Sequence, residues 1–114
     1  MSACLLCRIE RGEIPAAIVR REPRLFAFRD IHPQAPQHIL IVPTKHIARL
    51  DDLSADDSAL AGELVLAATS LAREQGCAAS GYRLVWNCGT DGGQSVDHIH
   101  LHLLGGRRLG WPPG

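Results

Sequence analysis

His98-Ile99-His100-Leu101-His102-Leu103-Leu104 alternates imidazole with aliphatic side chains as far as Leu103. Period two is the period of a β-strand, so the stretch reads as one strand with three histidines along one face. Ile99, Leu101 and Leu103 then form an apolar strip on the other face, suited to a core. These three are half of the six histidines in the chain, more than a face needs for one satisfied, half-buried imidazole. Just upstream, Asp91-Gly92-Gly93-Gln94-Ser95 is a glycine-rich turn expected to direct backbone N–H groups toward the same face. Imidazoles beside amides suit phosphate chemistry, although spacing alone also leaves a three-histidine metal site open.

The rest of the chain sets the frame. Its 114 residues fit a single domain, 1–114, large enough for a real core. Twelve basic residues balance twelve acidic ones, so no overall field favours nucleic acid or an anionic membrane. A phosphate-bearing ligand must therefore be held by local geometry. Charged residues, His or Pro interrupt every apolar run, which excludes a membrane-spanning helix. Met1-Ser2-Ala3-Cys4 lacks the basic start and apolar segment of a signal peptide, so a cytoplasmic setting with reduced thiols is the expectation.

Working outward from the histidine strand, Tyr82 to Asn87 reads as the strand before it, joined through the glycine-rich turn. Cys4 to Ile9 reads as a short helical turn. Ile18–Arg21 and Leu25–Arg29 make a hairpin around Glu22-Pro23. Ile31 to Pro36, with two prolines, is a loop. His38 to Val42, β-branched and apolar on both faces, is a central strand ending at Pro43. One long helix is expected from about Ser54 to Gln75, with a Ser54/Asp57 capping box and a stop at Gly76. Leu60, Leu64, Ala67 and Leu71 form its buried stripe. The predicted class is α+β: a five-stranded, mostly antiparallel sheet under one long helix.

His-x-His-x-His followed by two apolar residues resembles the signature of the histidine triad superfamily of nucleotide hydrolases and transferases. The likeness is strongest to its Hint branch and extends along the chain. Arg11 to Pro15, Phe28 to Ile31, Pro33 to Pro36, Asp91 to Ser95 and the ending Trp111-Pro112-Pro113-Gly114 all share it. The resemblance implies a homodimer whose subunits build one continuous sheet. It implies His100 as a covalent nucleophile, with His102 or His38 as the acid for the leaving group and His98 beside them. Where the transferase branch carries Gln, this chain has His102, which favours hydrolysis.

Ser95 and the amides after Gly92, Gly93 included, are expected to bind phosphoryl oxygens. Asn87 matches a position on the phosphate or ribose side. Asp30 matches the ribose position, where a carboxylate accepts from two vicinal hydroxyls. Leu5, Leu6, Ile9, Phe28 and Ile31 match an apolar slot for a purine base. Trp111 matches a tail that reaches the partner subunit's site and influences specificity. Arg107 and Arg108 read as a solvated edge, and Cys77 and Cys88 as buried thiols.

Cys4-x-x-Cys7 supplies two of the four ligands that a zinc site needs, and a redox pair is the alternative. Zinc-bearing relatives nominate His46 and His98 as the other two, which makes the metal structural; the chemistry itself would need no cofactor. The implied activity is hydrolysis of the P–N bond of purine nucleoside 5′-phosphoramidates. A dinucleoside polyphosphate hydrolase of the same superfamily and a nucleotide-binding scaffold with vestigial activity are the alternatives.

Overall fold

The computed structural model describes residues 4–114. The leader-free reading of the N-terminus falls mostly on Met1, Ser2 and Ala3, outside the described residues. In chain order the elements are α1 (Leu5–Glu10), β1 (Ile18–Arg21), β2 (Leu25–Arg29), β3 (Gln37–Pro43), α2 (Ser58–Glu74), β4 (Tyr82–Trp86), α3 (Gly89–Gly92) and β5 (Leu101–Gly105). Two short 3₁₀ turns, Leu50–Asp52 and Ala55–Asp57, precede α2. The sheet order is β1-β2-β3-β5-β4, antiparallel at every pairing, with β3 in the middle.

Alternation divides the side chains between two cores. Leu25 and Ala27 of β2, Ile39 and Ile41 of β3, and Leu101 and Leu103 of β5 face α2, meeting Leu60, Leu64, Ala67 and Leu71. Phe26, Phe28, Leu40 and Val42 face the other way and pack on Leu6 and Ile9 of α1. The α2 side is a large dry layer; the α1 side is smaller and leaves room at its edge for a cleft.

The expected helix begins as drawn but in two steps. Ser54 and Asp57 form the reciprocal capping box around the Ala55–Asp57 3₁₀ turn, and α2 continues from Ser58. Asp57 is buried and also binds Lys45 Nζ at 2.7 Å. That ammonium, with the Ser54 amide, holds its carboxyl below the ordinary value.

The histidine strand needs correction. Regular pairing begins only at Leu101, so His98, a bend, and Ile99 and His100 precede β5 outside the ladder. The reason lies in the pairing: the ladders of β5 with β3 and with β4 end at Ile41 and Trp86, both opposite Leu101. Ile99 instead donates its N–H to Ile47 O at 2.8 Å. The glycine-rich turn likewise contains a single helical turn, α3, absent from the sequence reading. Cys77 is buried as expected, whereas Cys88 is only half-buried and its Sγ lies 3.3 Å from Asp51 Oδ1.

Candidate active site and metal centre

Four imidazoles are spread along the seam between β3 and β5, from His38 at the start of β3 to His98 beside Pro43 at its end, and backbone groups decide the proton on three of them. A carbonyl only accepts, so a ring nitrogen beside one must carry hydrogen. His98 Nε2 lies 2.8 Å from Pro43 O and therefore donates, leaving Nδ1 with a lone pair. His100 Nδ1 lies 2.8 Å from His98 O and donates, leaving Nε2 with a lone pair. His38 is set the opposite way: Gln34 N–H donates to its Nδ1 at 3.1 Å, so its proton sits on Nε2. His38 Nε2–H then donates to His102 Nδ1 at 2.9 Å, and His102 in turn carries its hydrogen on Nε2.

Register explains the last contact. His38 lies opposite Leu104 and His102 opposite Leu40, which makes the two histidines diagonal neighbours on one face. Burial, followed by the neighbouring His100 and His38, pushes His102 down to about 4. Burial likewise lowers His38 and His98, so all three rings are neutral at neutral pH.

His100 and His102 line a cleft of about 310 Å³ that opens on the α1 side of the sheet. Leu5, Leu6, Ile9 and Phe28 supply its apolar wall, and Asp30, Ile31 and Ser95 also line it. Ile31 is 81% exposed there, a large aliphatic side chain held in solvent beside the cleft. His32, given no role by the sequence, also lines it, as do Leu40 and Val96. Leu40 was legible in principle, because it shares the parity of His38 on β3; His32 carried no such signal.

Other expected residues lie elsewhere. His38 stands behind His102 and reaches the cleft only through it. His98 turns its open nitrogen away from the cleft. Asn87 is half-buried just after β4, packed against Gly92. Trp111 is 83% exposed on the C-terminal tail.

Two of the loop amides are taken up within the turn itself. Gly93, at φ 81°, closes α3, and its N–H is committed to Thr90 O while Gln94 N–H is committed to Gly89 O, both at 3.0 Å. The loop gains a brace from the Gln94 carboxamide, which accepts from Gly89 N at 2.9 Å. It also donates to Ala48 O at 2.6 Å and Val96 O at 2.9 Å. Ser95, next in line, is left facing the cleft.

The open nitrogen of His98 meets sulfur. Its Nδ1 lies 3.4 Å from Cys4 Sγ and 3.5 Å from Cys7 Sγ, and His46 Nδ1 lies 3.4 Å from Cys7 Sγ. All four ligand atoms fall within 4.8 Å of one another. Zn–S bonds of about 2.3 Å and Zn–N bonds of about 2.0–2.1 Å at tetrahedral angles place S and N about 3.6 Å apart. The observed separations match, and the His98 Nε2–H···O=C bond is the usual outer support of a ligating imidazole. Cys4, Cys7, His46 and His98 can therefore hold a metal ion. Asp30, His38 and His102 are clustered as closely, but the proton on His38 Nε2 occupies the position a metal would need. That group is a hydrogen-bond relay.

Comparison with known proteins settles the family. The HIT domain model matches residues 11–109. This chain belongs to the HIT domain family. Among HIT relatives, the purine nucleoside phosphoramidase of Escherichia coli K12 is 47% identical over 93% of this chain and 89% of its own length. An uncharacterized HIT-like protein of Synechococcus elongatus is 50% identical over 94% of this chain and 93% of its own length. The crystal structure of a HIT family hydrolase from Legionella pneumophila superposes with a TM-score of 0.96 at 54% identity. It covers 97% of this chain and 99% of that one. This HIT domain has the α+β architecture of that structure. None of its described helices is long and apolar enough to cross a membrane.

Proposed function

We propose that this HIT domain hydrolyses the P–N bond of purine nucleoside 5′-phosphoramidates, the activity named for its Escherichia coli relative. One observation carries the reading: His100 offers an Nε2 lone pair to the same cleft into which His102 brings an Nε2–H. A neutral imidazole with a fixed tautomer is a competent nucleophile toward phosphorus. Attack by His100 forms a nucleotidyl-imidazole and expels the amine, and water then releases the nucleoside monophosphate.

The departing nitrogen needs a proton, and His102 Nε2–H is the ring hydrogen set beside His100. An anionic phosphoryl group against His102 favours its charged form, opposing the effect of burial. Asp30 Oδ2, 3.5 Å from His38 Nε2, offsets positive charge on the pair. Ser95 is the donor to the phosphoryl oxygens. Asp30 keeps lone pairs for ribose hydroxyls although its Oδ1 accepts from His32 N at 2.8 Å. The aliphatic wall with Phe28 takes the base.

Zinc is the metal we assign to Cys4, Cys7, His46 and His98, as a structural cross-link between α1 and the histidine segment. Thiolates there fit a reducing, cytoplasmic setting. A homodimer would extend the sheet through an edge strand, β1 or β4. The exposed Trp111 then belongs to the partner subunit's site.

Adenosine 5′-phosphoramidate and a diadenosine polyphosphate, offered side by side, test the assignment. Faster turnover of the phosphoramidate is expected. Faster turnover of the polyphosphate would move the protein to that class of hydrolase, and binding of adenosine monophosphate without turnover of either would make it a binding protein.

A further inference from the structure

Arg107 lies outside the cleft, on the exposed segment after β5. Its guanidinium nevertheless grips one carbonyl, with Nε 3.0 Å and NH2 2.9 Å from Gln34 O. NH1 meets Arg108 O at 3.0 Å. A two-pronged, charge-assisted grip is worth more than a single neutral bond. Gly106, at φ 92°, adds close contact: a Cβ there would stand 2.8 Å from Pro36 Cβ. The 31–36 loop therefore sits directly on the end of β5.

Gln34 is the residue that this seat holds. Its carbonyl takes the Arg107 fork, and its N–H donates to His38 Nδ1 at 3.1 Å. The side chain also braces the loop by donating to His32 O at 2.9 Å. One amide thus decides the proton order of the relay, and one arginine holds the residue bearing that amide.

The geometry points to Arg107 as a positioning residue that acts through Gln34 and His38 to keep the proton of His102 on Nε2, aimed into the cleft. The alternative order is a neutral exchange. His38 would carry its proton on Nδ1 and His102 on Nδ1, and the cleft would face a lone pair in place of a donor. With Gln34 seated, that order sets two N–H donors face to face. With Gln34 released, only the Asp30 carboxylate, 3.5 Å from His38 Nε2, still favours the first order, and the two orders come closer in energy. The consequence for turnover rests on the reading of His102 given above; the proton order itself does not.

Long-range ¹H–¹⁵N spectra of ¹⁵N-histidine protein report which ring nitrogen carries hydrogen. In the wild type, His38 and His102 are both expected to be protonated on Nε2. In Arg107→Ala both should become mixtures, and kcat for adenosine 5′-phosphoramidate should fall about tenfold with KM within about twofold. Arg107→Lys keeps the charge and loses the fork, so it should fall between the two and serves if Arg107→Ala folds poorly. Wild-type tautomers in the variants would overturn the inference, as would unchanged kcat. A rise in KM alone would also overturn it, because that is the mark of a merely loosened loop carrying Asp30 and Ile31. If the wild type turns over no phosphoramidate, the functional reading fails while the tautomer spectra still decide the role of Arg107.

Discussion

The two faces of the sheet are built from the same strands by the same alternation, yet they differ in what they ask of neighbouring residues. On the α2 face, Leu25, Ile39, Ile41, Leu64, Leu71, Leu101 and Leu103 are almost fully buried. Any aliphatic side chain of similar volume would serve there nearly as well. On the α1 face, His38 and His102 are diagonal neighbours with His100 beside them; His38 and His100 each depend on one backbone atom for the place of their proton, and His102 depends on His38. Packing on the first face is tolerant in chemistry and strict in volume. The second is strict in hydrogen-bond direction, because a misplaced proton changes a donor into an acceptor.

The sharpest way to separate the faces is at His100. His100→Ala should lower phosphoramidate turnover roughly a thousandfold or more while adenosine monophosphate still binds, since binding rests on Asp30 and the aliphatic wall. Single-turnover kinetics beside calorimetric titration would show it. Near-normal turnover would remove the nucleophile assignment.

Leu64→Ala is the counterpart on the other face. Leu64 is fully buried under the sheet, so the cavity should cost about 2–5 kcal/mol in urea denaturation. Turnover by the remaining folded protein at low temperature should be little changed. A large loss of kcat in folded Leu64→Ala would mean that the two faces are coupled.

Acid should act on the histidine face. The folded-state value of His102, about 4, lies below the 6.5 of an exposed imidazole, and His38 is lowered as well. Unfolding therefore takes up protons between pH 6.5 and about 4. Stability is complete above that window and falls as pH drops through it. For His102 the loss between pH 7 and 4.5 should be on the order of 2 kcal/mol. Melting curves of metal-free protein should show it, and His102→Gln, which cannot titrate, should show a smaller acid dependence. An equal dependence in that variant would place the titration elsewhere.

The smallest effect is expected at Trp111. Trp111→Ala should shift the preference between bulky and small leaving amines by about a few-fold and leave turnover of the smallest phosphoramidate intact. Complete loss of activity in a variant of unchanged oligomeric state, measured by light scattering, would count against a specificity role.

Much of this molecule follows from local pattern. Alternation alone places Ile99, Leu101 and Leu103 in the core, and aliphatic spacing places Leu60, Leu64, Ala67 and Leu71 against them, because strand and helix periods are properties of the backbone. The capping box at Ser54 and Asp57 was legible for the same reason: its partners are three residues apart. The histidine motif, read with its family resemblance, also marked His100 and the cysteine–histidine ligand set. What the chain in isolation did not disclose are the directions of individual hydrogen bonds and the relations between distant segments. That His98 turns to the sulfurs while His100 turns to the cleft depends on Pro43 O and on His98's own carbonyl. That the Gly93 and Gln94 amides are committed within their turn depends on α3 forming at all. That Arg107, exposed as a solvated edge would be, also grips the Gln34 carbonyl depends on β5 ending beneath the 31–36 loop. Periodicity determines which face a side chain takes; which nitrogen on that face carries the proton is decided by atoms that the folded chain brings to 3.1 and 2.9 Å.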